Sequence, residues 1–117
     1  MKQEKIIIYQ LLPRLFGNTN EKCIPNGSLK ENGVGKFKDI TDRALREIAR
    51  LGSTHVWYTG VIEHATQTGY SAYGIAVDNR YVVKGKAGSP YAIKDYYDID
   101  PDLAVNISER MAEFEAL

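Results

Sequence analysis

The 117-residue chain has one cysteine, Cys23, so it can close no internal disulfide, and without a second thiol it cannot found a thiolate metal site. It also lacks an excess of either charge. Fifteen Lys+Arg balance fifteen Asp+Glu, and the lysines are scattered rather than striped, which leaves no field to attract a polyanion. Nucleic acid is therefore not an expected partner. No apolar run approaches the roughly 20 residues that cross a bilayer, so no membrane span is expected. Lysines precede the apolar run near the start, as in a signal peptide, but Glu4, Tyr9 and Gln10 interrupt it and no small-x-small site comes before Pro13. The compartment stays open.

Several catalytic signatures are incomplete as well. Gly33-Val34-Gly35 lacks the third glycine and the preceding strand of a dinucleotide fingerprint, and Lys84–Ser89 has neither the spacing nor the setting of a phosphate loop. No Gly-x-Ser-x-Gly is found. Glu63-His64 has no second histidine at helical spacing and reads as a surface polar pair, with His55 inside a strand. Asn26-Gly27-Ser28 and Asn106-Ile107-Ser108 fit the glycosylation acceptor pattern, the second at a position that a helix cap explains.

What is present is ordinary globular composition, 44% hydrophobic and 26% charged, in a length that suits one domain. Residues 5–11 contain Ile6, Ile7 and Ile8 and read as a strand covered on both faces. A Gly/Asn-rich loop follows to Gly35. Leu45, Ile48, Ala49 and Leu51 then fall at helical spacing, predicting a helix over 40–51 with Asp39 or Thr41 as its cap and Gly52 as its stop. Val56, Trp57 and Tyr58 make 53–59 a second buried strand, and strand, helix, strand is a βαβ unit with a parallel pair. Residues 60–105 read as a very long loop, with a small hairpin around Asp78-Asn79-Arg80. The last helix is predicted over 106–117, capped by Asn106, with Ile107, Met111, Phe114 and Leu117 on one stripe. No stop signal follows Leu117, and two strands with their helices cannot cover both faces of a sheet. The expectation is the opening of a larger domain.

Gly88 to Asp102 carries the most information. Tyr91, Asp95, Tyr96, Tyr97, Ile99, Asp100 and Pro101 stand in a pattern that strongly resembles the segment after the second barrel strand of the α-amylase family of glycoside hydrolases, family 13. Ile8–Phe16, with Tyr9-Gln10 and Pro13-Arg14, is similar to that family's first strand and its exit. Gly35–Ile40, with Leu45, Ile48, Leu51-Gly52 and Val56-Trp57, is similar to its first helix and second strand.

The resemblance implies an α/β fold, a partial TIM (β/α)8 barrel comprising the first two βα units with long βα loops. In such a barrel the loops leaving the strands build the active site, so long loops there are expected. By resemblance Tyr91 is the aromatic platform for the sugar ring beside the scissile bond, Asp95 a supporting carboxylate, and Tyr96, Tyr97 and Asp100 scaffold. Ala92 stands where many relatives have an acidic residue or Trp, which favours endo over exo action. The implied function is a retaining, α-amylase-like glycoside hydrolase acting on starch or maltooligosaccharides. Its two carboxyl groups, about 5 Å apart, belong to later strands, so no catalytic residue and no metal ligand is assigned here, and the segment alone is expected to be inactive. No cofactor is required by these residues; calcium is an expectation for a longer parent only. Uncovered sheet edges predict self-association. The alternative is a complete small α/β sugar-binding or interaction module without catalysis.

Overall fold

The computed structural model describes residues 4–117. β1 (Ile8–Leu11) runs parallel to β2 (His55–Tyr58), with Ile8 opposite His55 and Leu11 opposite Tyr58. Between them lie two short helical turns, α1 (Pro13–Phe16) and α2 (Leu29–Asn32), a 3₁₀ turn at Phe37–Asp39, and the main helix α3 (Asp42–Arg50). Thr41 caps α3 by accepting the Ala44 amide, and Gly52 follows at φ 93°, a backbone angle that favours glycine. The helix is thus shorter at both ends than 40–51. In the preceding loop Ser28 and Glu31 form a reciprocal capping box that holds α2.

Alternation along the parallel pair separates its two faces. Leu11, with Tyr9, Val56 and Tyr58, packs against Ile40, Leu45 and Ile48 of the α3 region. Ile8 and Trp57 on the other face remain 57% and 56% exposed. The expectation of two strands buried on both sides is corrected here: among the described residues no element covers the second face.

The 60–105 segment is also corrected. It contains β3 (Ile62–His64) and β4 (Ile93–Ile99), an antiparallel pair joined across a long excursion. Ile62 faces Ile99 while Glu63 faces Asp95, so β4 bulges between them and throws Tyr97 out to 92% exposure. Tyr96 is exposed beside it. The hairpin expected around Asp78-Asn79-Arg80 does not form. Asn79 instead closes a local turn onto Tyr81 and Val82, and Asp78 points inward to Lys94 and the Thr66 amide.

After β4 a 3₁₀ turn, Pro101–Leu103, buries Leu103 completely against Phe37 and Ile99. A second 3₁₀ turn, Ile107–Glu109, capped by Asn106, leads into α4 (Arg110–Glu115) in place of one continuous helix over 106–117. Phe114 meets Phe37 at 6.0 Å between ring centroids, and Leu117 touches both apolar clusters.

Candidate functional site

β2 ends at Tyr58, and the chain leaves it through Thr59, Gly60 and Val61. Thr59 is tied back to β1 twice: its amide donates to the Leu11 carbonyl (2.9 Å), and its hydroxyl accepts from Gln10 Nε2 (2.7 Å). Against this exit lies the peptide Pro90–Tyr91, with Pro90 resting on the Gly60 backbone. Together they line a cleft of about 250 Å³ that includes Trp57, Tyr58, Ile62, Tyr91 and Ile93. Tyr91 is 74% exposed at its edge. The cleft is apolar and open, so it can offer a flat ring surface and little else.

The Asp100 amide donates to the carbonyl of Val61 on the cleft wall (2.9 Å), and Asp100 belongs to a buried polar chain that the sequence reading missed as a set. Arg14 Nη1 donates to Asp102 Oδ2 at 2.8 Å, Tyr70 OH donates to Asp102 Oδ1, and Lys36 Nζ donates to the Asp102 carbonyl at 2.6 Å. Asp102 is 1% exposed, and its charge is matched by Arg14. Burial, then the hydrogen bond to Asp102, raises the Tyr70 hydroxyl far above its ordinary range. The Asp102 amide donates to Asp100 Oδ1 (3.0 Å), making Asp100 the cap of the 3₁₀ turn. Burial and the Asp102 charge push the Asp100 carboxyl up to about 6, against the opposing pull of His64. Asp100 Oδ2 faces His64 Nδ1 at 3.6 Å, and His64 Nε2 lies 2.9 Å from the Ala87 carbonyl.

Glu63 and His64 are each 3% exposed, which overturns their reading as surface residues. Their partners sit more than twenty positions away, and nothing in the dipeptide itself signals that. Tyr70, Arg14 and Asp102 were likewise invisible as a set.

Asp95 lies exposed in the β4 bulge. Its Oδ1 accepts the Tyr97 amide at 2.8 Å, and its carboxylate comes within 4.8 Å of those of Glu63 and Asp98. Arg110 clamps Asp98 through two bonds of 2.7 and 2.6 Å, which holds that carboxyl below its usual range. Burial and the neighbouring Asp98 raise Glu63, while Lys94, 3.8 Å away, lowers it. Asp98 is committed to Arg110 and Glu63 faces Lys94, and with Asp95 they do not amount to the six to eight open ligands of a calcium cage. The structure therefore unites Tyr91 with Trp57 in one cleft, buries Asp100, and leaves Asp95 and Tyr96 on the bulge, outside the cleft.

Two curated proteins are similar to the chain over 80 residues, 68% of its length. Both are described as 1,4-alpha-glucan-branching enzymes: that of Debaryomyces hansenii is 29% identical and that of Yarrowia lipolytica 26%. The match spans about a tenth of their length (11%). These similarities support a distant glycoside hydrolase relationship. No protein-family profile matches the chain. No solved structure matches it. Among the described residues no helix is long and apolar enough to cross a membrane.

Proposed function

We propose that this chain is the opening section of the catalytic barrel of an α-glucan-acting enzyme, with Tyr91 as a platform for a sugar ring. The observation that carries the reading is the convergence of Tyr91 and Trp57 on one apolar cleft at the C-terminal end of β2. Parallel β-strands present their substrate sites at that end. The parallel β1–β2 pair, covered by α3 on one face and bare on the other, supports a partial barrel: the bare face is what the inside of a barrel would be. The names of the two relatives support an α-1,4-glucan as substrate and add branch transfer to hydrolysis as the reaction of the whole enzyme. Both outcomes of a retaining mechanism share a glycosyl-enzyme intermediate and differ in whether water or a glucan hydroxyl attacks it.

In this chain the only step supplied is binding. Glu63, Asp100 and Asp102 are shut from solvent, Asp98 is held by Arg110, and none of the four lines the cleft, so none can reach a glycosidic oxygen there. The chain should bind maltoheptaose weakly and hydrolyse none of it. Trp57 is the one tryptophan and lines the cleft, so its fluorescence reports binding directly. Tyr91→Ala should weaken the titration by about tenfold, the scale of one lost aromatic contact. Equal titrations of wild type and variant, or glucose release by the pure chain, would refute the reading.

A further inference from the structure

The peptide Lys84–Tyr91 that delivers Tyr91 belongs to no strand or helix, so its position depends on what it leans against. It leans on β3 and the residues just after it. The Ala65 amide donates to the Ala92 carbonyl (3.0 Å), and the Gln67 amide and Thr66 hydroxyl both donate to the Lys86 carbonyl (3.0 and 2.8 Å). Gly88 sits at φ 71°, and a Cβ there would fall 1.9 Å from the Ala65 carbonyl oxygen. Only glycine allows this contact. Between these bonds, His64 reaches up to the Ala87 carbonyl.

A carbonyl only accepts, so His64 Nε2 must carry the hydrogen. That fixes which ring atom is left to face Asp100. His64 Nδ1 and Asp100 Oδ2 are both buried, and neither has another hydrogen-bond partner. One proton on either atom converts two facing lone pairs into a donor and an acceptor. Asp100 cannot turn away, because its other oxygen holds the Asp102 amide and Asp102 is pinned by Arg14 and Tyr70. The imidazole therefore has Asp100 facing its Nδ1 at 3.6 Å and presents its Nε2–H to the Ala87 carbonyl at 2.9 Å.

We propose that His64, oriented by Asp100, is a positioning residue for the Tyr91 platform: its Nε2–H fixes the Ala87 carbonyl and so sets where the Tyr91 loop meets the cleft. The inference rests on the reading of that cleft as a glucan surface, but loop order can be measured without any glucan.

The test uses the whole chain with His64→Leu, His64→Gln and His64→Asn. Gln places an amide donor near the Nε2 position, Asn only near Nδ1, and Leu supplies none. Amide exchange in 87–92 should rise about tenfold in the Leu and Asn variants, the scale of one lost buried hydrogen bond, and stay near wild type in the Gln variant, with α3 unchanged in all three. Maltoheptaose affinity, read from Trp57 fluorescence, should fall several-fold in the same two variants and recover with Gln. Unchanged exchange in 87–92 for Leu and Asn overturns the proposal. So does a loosening that spreads equally to α3 and is not rescued by Gln, which marks a plain core residue. Should the Leu variant fail to fold, Gln against Asn decides alone. If exchange behaves as stated and no form binds maltoheptaose, the glucan reading fails and the positioning role stands; glucan binding with no response to His64 gives the reverse.

Discussion

Asp100 is a carboxyl that folding makes easier to protonate. Its raised value of about 6, against an ordinary 3.8, comes first from burial and then from the Asp102 charge, with His64 pulling the other way. The folded chain thus holds this proton more tightly than the unfolded chain does. The stability it contributes is complete below about pH 4 and is lost as pH rises through 6. Asp100→Asn fixes the neutral state. The amide oxygen can still accept the Asp102 amide, and the amide nitrogen can donate to His64 Nδ1. Thermal unfolding followed by circular dichroism across this range should show the wild type falling relative to the variant, with the variant at least as stable at pH 7.5 and the two equal at pH 4. A variant that matches the wild type at pH 4 and is less stable at pH 7.5 would show that Asp100 works as an anion, not as a shared proton. At this scale the sequence was legible where chemistry is local. Thr41 and Asn106 as caps could be read from their neighbours, and both cap in the structure. Glu63-His64 could not, because burial at 3% exposure is conferred by partners on β4 and on the Tyr91 loop.

Among the elements, α4 is the one least able to stand alone. It has six residues, well under the roughly 12–15 at which isolated helices become marginal in water, so tertiary anchors must hold it. Two are visible: Phe114 against Phe37, and the Arg110 fork on Asp98 of β4. The ion pair is mostly enclosed, with side-chain exposures of 16% and 21%, so it is worth more than a surface pair. Arg110→Met keeps the stem and removes the fork. The chain should lose about 1–3 kcal/mol in urea unfolding, the usual cost of a lost charged hydrogen-bonding partner. Amide exchange across 110–116 should rise while 42–50 is unaffected; an unchanged α4 would assign its anchoring to Phe114 alone. β1, β2 and α3 were readable because β-branched runs and helical spacing are local signals. β3 and β4 were not, since β3 is three residues long and pairs through a bulge with residues some thirty positions later. The aromatic and β-branched run Ile93–Ile99 was the available signal, and the motif within it drew attention to its side chains instead.

For the molecule as a whole, the open feature is the β1–β2 sheet. Among the described residues β1 and β2 pair only with each other, which leaves open edges, and Ile8 and Trp57 project from a face that none of those residues covers. Two-stranded sheets are marginal in water, and open apolar edges invite further strands. Covering the part of these two side chains that is still exposed would stabilise by about 1–2 kcal/mol each. In the proposed barrel, later strands would supply that cover. For this chain by itself, a second copy is the nearest substitute, and association should grow with concentration in sedimentation equilibrium. The combined change Ile8→Lys and Trp57→Lys leaves the α3-facing residues Tyr9, Leu11, Val56 and Tyr58 in place and puts charge on the bare face. It should therefore keep its far-ultraviolet spectrum and sediment as a monomer under conditions where the wild type does not. A wild type that is monomeric at its highest soluble concentration, or a double variant that associates just as strongly, would mean that this face is not where the molecule seeks a partner, and the case for a barrel interior would lose its physical support.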